Sequence, residues 1–202
     1  MVGDHITVRE VSKDEHDHSD EETSETTEAK EDGHDHGAYD PHLWLSPGAM
    51  LEMLPQLSDA LSTAIGTDLS ARRTTLESAL TALDSEIKEI MSGFTCELVS
   101  GHDEMGYFAD RYGCEVIGAI IPSFSTTSEA SAGELADLKA EVEAHGVPAI
   151  FTGLGTSPDV AEQLAAELGV KAVTLSTHFL DGAADYQEFM LRMVNQIAEA
   201  LG

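Results

Sequence analysis

The chain has 202 residues, of which 38 are Asp or Glu and only 10 are Lys or Arg, so its formal net charge is −28. Nucleic acids and anionic membrane surfaces are bound mainly through basic surface, so this charge argues against both as principal partners. Hydrophobic residues make up 42% of the chain, enough for a buried core, and the length suits one large domain or two small ones.

The acidic residues are concentrated at the start of the chain. Residues 1–40 contain 14 acidic and 3 basic side chains, a net charge of −11. The segment from Lys13 to Gly37 has no Leu, Ile, Val or aromatic residue. Burial of apolar side chains therefore cannot offset the conformational entropy that this segment would lose on becoming ordered. We predict a disordered loop over residues 13–39, preceded by a short strand within residues 1–12.

Histidines are regularly placed within this acidic loop. The pattern His-Asp-His occurs twice, with its histidines at His16, His18, His34 and His36. Imidazole beside carboxylate on a flexible chain is typical of weak, polydentate sites for zinc or a similar divalent ion. The alternative is a solvated acidic linker in which the histidines have no function. We favour a low-affinity metal-collecting loop.

Two helices are predicted after the loop. Ser46 and Pro47 are typical of a helix start, because Ser can cap and proline at the first helical position loses no needed N–H. Apolar residues at helical spacing then continue to Gly66. A second apolar stripe predicts one long amphipathic helix from about Asp68 to Met91.

From residue 94 onward, short β-type runs alternate with helical patterns. We predict strands at Leu98-Val99, Val116 to Ile121, Ala149 to Phe151 and Ala172 to Leu175, and helices at Asp103–Tyr112, Ser131–His145, Ser157–Leu168 and Ala183–Leu201. Four strands that are each followed by a helix predict an α/β fold with a doubly wound, four-stranded parallel sheet.

Two histidines follow predicted strands directly. His102 comes after the first strand and His178 after the fourth. Ligands of such sheets bind at the carboxyl ends of the strands, so the two side chains are expected at one edge of the sheet. His145 precedes Gly146 at a helix end, where a structural role is expected. Cys96 and Cys114 form no C-x-x-C motif, and the sequence leaves their pairing open.

Motifs of enzymes are weak or absent in the chain. It contains no H-E-x-x-H and no G-x-S-x-G, and we predict that it is not an enzyme. An alternative is a zinc hydrolase with an open three-histidine site, in which Glu104, two residues after His102, is the candidate base. A second alternative is an interaction or cell-adhesion module in which metal only stabilises the fold.

Several motifs resemble those of one family in the same order along the chain. The segment Asp40-Pro41-His42-Leu43-Trp44-Leu45-Ser46-Pro47, which follows the acidic His-rich loop, is similar to a segment of the zinc- and manganese-type solute-binding proteins of ABC importers. The resemblance continues at residues 101–113, 128–135 and 186–201 and covers about residues 36–202. In that family two lobes are joined by one long helix, and metal lies in the cleft between them.

The resemblance implies a division of the chain into parts. Residues 1–12 would be a remnant strand of the N-terminal lobe, residues 40–66 its last helix with the D-P-H motif, residues 67–93 the linker helix, and residues 94–202 the C-terminal lobe. Most of the N-terminal lobe of the family would therefore be missing from this chain.

The resemblance also implies the metal ligands and the function. His42 and His102 align with ligands of the family, and His178 stands where many members have an aspartate, with Asp181 as the alternative carboxylate. We expect high-affinity binding of Zn²⁺, with Mn²⁺ as the alternative, for delivery to the membrane permease of an ABC importer. The expected location is periplasmic or extracellular and membrane-associated, and the expected state is a monomer.

Overall fold

A four-stranded parallel sheet with helices on both faces forms the larger part of the fold. The computed structural model describes residues 9, 39–125 and 127–202. The predicted strand within residues 1–12 and the loop histidines lie outside the described residues. The strands are β1 (Glu97–His102), β2 (Glu115–Ile121), β3 (Ala149–Thr152) and β4 (Lys171–Thr174), in the spatial order β2-β1-β3-β4 with every pairing parallel. The predicted α/β class is confirmed.

Six helices accompany the sheet in the described part of the chain. They are α1 (Pro47–Ile65), α2 (Ser70–Met91), α3 (Gly106–Tyr112), α4 (Ala132–His145), α5 (Pro158–Leu168) and α6 (Tyr186–Leu201), with a short 3-10 helix at Leu43–Leu45. Ser46 caps α1 by accepting a hydrogen bond from the backbone N–H of Ala49, as the Ser-Pro pair predicts. No helix in the described ranges has both the length and the apolar character to cross a membrane.

The apolar residues form one core on each face of the sheet. Residues of α2, α3 and α6, including Ile87, Phe108 and Met193, pack on one face. Residues of α4 and α5, including Val142 and Leu164, pack on the other. Because both faces are covered, the strands carry nearly continuous apolar runs, and the carboxyl edge of the sheet is left for polar groups.

The helix α3 begins three residues later than the sequence predicts. Residues 103–105 form a turn between β1 and α3 instead of the first helical turn. A Cβ atom at Gly106 would lie 1.4 Å from the guanidinium of Arg9 and 3.0 Å from Asp40 Oδ2, so a larger residue here would require the Arg9 side chain to move. The turn holds Glu104 in place directly after the strand.

The long helix α2 is fixed to α3 by a charged cluster. The buried carboxylate of Asp84 accepts hydrogen bonds from Arg111 at 2.8 and 2.7 Å and from Lys88 at 3.0 Å. Burial alone would raise the pKa of Asp84, but the hydrogen bonds from these two cations outweigh it and hold the pKa below its usual value. This pairing sets the position of the predicted linker helix on the α/β lobe.

A disulfide joins Cys96 to Cys114. Cys96 directly precedes β1, and Cys114 lies in the turn between α3 and β2, so the bond links the starts of two neighbouring strands. It spans 18 residues of sequence. The structure thus decides the pairing that the sequence left open.

Candidate metal centre

Three histidines from three separate segments meet at the carboxyl edge of the sheet. His102 is the last residue of β1, His178 lies in the loop after β4, and His42 directly precedes the 3-10 helix. Their ring centroids are 5.1 to 5.7 Å apart. The expectation that His102 and His178 share one edge therefore agrees with the geometry, although β3 lies between their strands.

A carboxylate completes the group. His42, His102, Glu104 and His178 each offer one nitrogen or oxygen atom, and these four atoms all lie within 4.8 Å of one another. The Nε2 atoms of His42 and His102 are 3.3 Å apart. A tetrahedral zinc site with bonds of about 2.0–2.1 Å has ligand atoms about 3.3–3.4 Å apart, so the spacing suits such an ion.

The orientation of the His42 ring is set by Asp40. Nδ1 of His42 lies 2.8 Å from Asp40 Oδ1, and the same oxygen accepts a hydrogen bond from the backbone N–H of His42. In the neutral imidazole, donation from Nδ1–H leaves Nε2 unprotonated and facing the other histidines. Asp40 is buried, and its second oxygen pairs with Arg9 at 3.3 Å. Such a carboxylate behind a histidine is a common support for a metal ligand.

Trp44 connects the segment of His42 to the loop of His178. Its indole N–H donates a hydrogen bond of 2.8 Å to the carbonyl oxygen of Thr177, and its own carbonyl oxygen accepts one of 2.7 Å from the Tyr186 hydroxyl. The indole ring also contacts the rings of His42 and His178 edge-on. These bonds hold two histidines from distant parts of the sequence at a fixed separation.

Burial keeps two of the clustered histidines in the neutral form that binds metal. Burial and the nearby rings of His42 and His178 lower the pKa of His102 to about 4, and burial followed by the charge of His42 lowers the pKa of His178. Both rings are therefore neutral at pH 7. Neutral imidazole is the form that binds metal, so little proton release is needed at these two side chains.

The remaining predicted ligand lies outside this group. Asp181 follows the loop of His178 with a positive φ of 46°, and its carbonyl oxygen accepts a hydrogen bond from Arg192. Its carboxylate is not among the four groups that share a site. His16, His18, His34 and His36 lie outside the described residues. His145 contacts Glu97 and Glu141 at the end of α4, away from the cluster.

Sequence reasoning missed two members of this arrangement. The sequence suggests Glu104 only as a base for hydrolysis and Asp40 only as part of a motif. Glu104 comes after the end of β1, in the bend before α3, so no strand periodicity places it beside the histidines. The role of Asp40 depends on the local turn before the 3-10 helix, which no periodicity in the sequence reveals.

The sequence profile of one protein family matches residues 2–200, nearly the whole chain. The family is described as the zinc-uptake complex component A, periplasmic. The chain belongs to this family. Its members are described as components of zinc uptake rather than as enzymes, which does not favour the hydrolase alternative.

Individual relatives that are named zinc-binding proteins agree with this membership. The zinc-binding protein AdcA of Streptococcus pyogenes is 32% identical over 181 residues, covering 87% of this chain and 34% of the relative. The zinc-binding lipoprotein AdcA of Streptococcus pneumoniae is 30% identical over 163 residues, covering 74% of this chain and 31% of the relative. The chain thus spans about a third of the length of these curated relatives.

A solved zinc-bound structure has the same fold. The Zn(II)-bound form of an AdcAII variant from Streptococcus pneumoniae matches with a TM-score of 0.71 and 26% identity, covering 82% of this chain and 62% of that one. The predicted fold and family are confirmed by these matches. The ligand set and the boundaries of the lobes stay predictions.

Proposed function

We propose that the chain binds Zn²⁺ through His42, His102 and His178 and hands it to the permease of an ABC importer. The observation that carries this proposal is the convergence of three imidazoles from three segments on one buried point of the sheet edge. Imidazole is a common zinc ligand, and a site lined by nitrogen donors suits zinc better than manganese, which prefers oxygen donors. The zinc-binding names of the relatives support the same cargo.

The proposed location is outside the cytoplasm. Disulfides such as Cys96–Cys114 form and persist in oxidising compartments and are rare in the cytosol. The family is described as periplasmic, and one relative is named a lipoprotein. We propose a monomeric, membrane-associated protein in the periplasm or at the cell surface, where the permease accepts the ion.

The acidic loop is proposed to collect zinc at lower affinity for the tight site. Its charge favours encounter with cations, and its histidines supply weak ligands. The described cluster does not depend on any loop residue, because its four groups all come from residues 42–178. The two sites can therefore be separated by experiment.

Deletion of residues 13–37 tests this division. We expect the deletion to remove the weak zinc-binding phase and to leave one tight ion per chain with unchanged affinity, because all four clustered groups remain. The measurement is a zinc titration in competition with a fluorescent chelator. A matched variant that changes His16, His18, His34 and His36 to alanine keeps the loop length. If either variant lost all tight binding, the loop would be the receptor and the proposal would be wrong.

Replacement of Asp40 by asparagine tests how His42 is held. We expect zinc affinity to fall by about 10-fold to 100-fold, because the amide is a weaker acceptor for His42 Nδ1–H and the ligand ring loses basicity and orientation. Asp110→Asn is the matched control, since Asp110 contacts Arg9 but is largely exposed and does not touch His42. Equal zinc affinity in wild type and Asp40→Asn would show that the Asp40–His42 contact does not support the site.

A further inference from the structure

Glu104 is a buried carboxylate whose contacts do not account for its burial. It lies two residues after the end of β1 and is only 2% exposed. Atom Oε2 has no hydrogen-bond partner among the described residues. A buried ionised group is costly unless it is paired or bound to a metal, so an unpartnered oxygen here calls for a ligand.

The unpartnered oxygen points between two of the histidines. It lies 3.7 Å from Nε2 of His102 and 3.5 Å from Nδ1 of His178. These separations are too long for good hydrogen bonds, but they are close to the spacing of two ligand atoms on one zinc ion. These distances therefore suit a cation that is coordinated by the carboxylate together with the two rings.

The other side of the carboxylate is held by the protein. The side chain of Thr177 forms a hydrogen bond with the Glu104 carboxylate. Thr177 thus holds the carboxylate, while Oε2 lies toward the histidines.

We propose that Glu104 is the fourth zinc ligand and closes a site of three histidines and one carboxylate. The inference rests on the proposed function, because it concerns the same site. In this proposal Glu104, and not Asp181, is the carboxylate ligand of the zinc ion. Glu104 then does not act as a base for hydrolysis. A four-coordinate site with no open position binds and releases zinc but does not activate water, in agreement with a transport protein.

The test compares Glu104→Gln with Glu86→Gln, an exposed glutamate on α2 that serves as the matched control. In the full chain, Glu104→Gln is expected to bind one zinc ion about 10-fold to 100-fold more weakly. Loss of a hydrogen-bond partner behind a metal ligand already lowers metal affinity by this factor, and loss of a charged ligand should lower it at least as much. Glu86→Gln is expected to match wild type. Melting temperature without metal checks that both variants fold, and Glu104→Asp, which keeps the charge, is expected to lie between wild type and Glu104→Gln.

Cobalt absorption supplies a readout independent of affinity. Co²⁺ in wild type is expected to show the intense visible bands of a four-coordinate tetrahedral ion, and Glu104→Gln is expected to change their position and intensity. Unchanged zinc affinity and an unchanged cobalt spectrum in Glu104→Gln would overturn the inference alone. If wild type bound no zinc tightly, or if alanine variants of the three histidines bound it equally well, the proposed function itself would fail.

Discussion

Replacement of His102 by alanine is expected to reduce zinc affinity by at least about 100-fold, because removal of groups that merely support a ligand already costs 10-fold to 100-fold. His102 is fully buried at the end of β1, with its Nε2 atom 3.3 Å from that of His42 and 3.7 Å from Glu104 Oε2. The measurement is competition titration with a chelator of known zinc affinity.

His145→Ala is the matched control for this prediction. His145 is exposed at the end of α4, where it contacts Glu97 and Glu141. Its loss should leave zinc affinity and stoichiometry unchanged. If His102→Ala bound zinc as tightly as His145→Ala, the cluster at the sheet edge would not be the zinc site.

Removal of the disulfide is expected to lower the free energy of unfolding by about 3 kcal/mol, because the bond closes a loop of 18 residues and restricts the unfolded chain. For a protein of this size that corresponds to a fall of roughly 6–12 °C in melting temperature. The double variant Cys96→Ala, Cys114→Ala is suitable, because Cys96 is buried in the core and alanine adds no polar group there.

Chemical reduction provides the comparison for this prediction. Wild type treated with a reductant should melt close to the double variant, and the double variant should not respond to the reductant. Zinc affinity should change little in folded protein, since the disulfide lies at the start of β1 and the histidines lie at its other end. A wild-type melting temperature that did not respond to reductant would contradict a stabilising role for the bond.

Most of the secondary structure can be predicted from the sequence, because it depends on local signals. The Ser-Pro pair predicts the start of α1, and apolar periodicity predicts α2 to within two residues at its first turn. The later start of α3 could not be predicted, because no periodicity marks the bend that the chain makes between β1 and this helix. Contacts between residues far apart in sequence leave no periodic pattern.

The candidate site can be predicted only in part, because its residues come from distant parts of the sequence. The rule that ligands bind at the carboxyl ends of parallel strands selected His102 and His178, and the family resemblance supplied His42. The sequence could not distinguish His178 from Asp181, because both lie in one loop whose path is set by packing. It also gave no reason to treat Glu104 as a ligand, since that reason is an unpartnered oxygen facing two histidines.

The α/β class, the order of elements and the presence of an acidic, histidine-rich segment can be predicted from the sequence. These properties follow from composition and from periods of a few residues. The pairing of Cys96 with Cys114, the support of His42 by Asp40 and the position of Glu104 among the histidines required the folded structure. Each of these depends on distances across the fold, which are fixed when the two cores pack on the sheet.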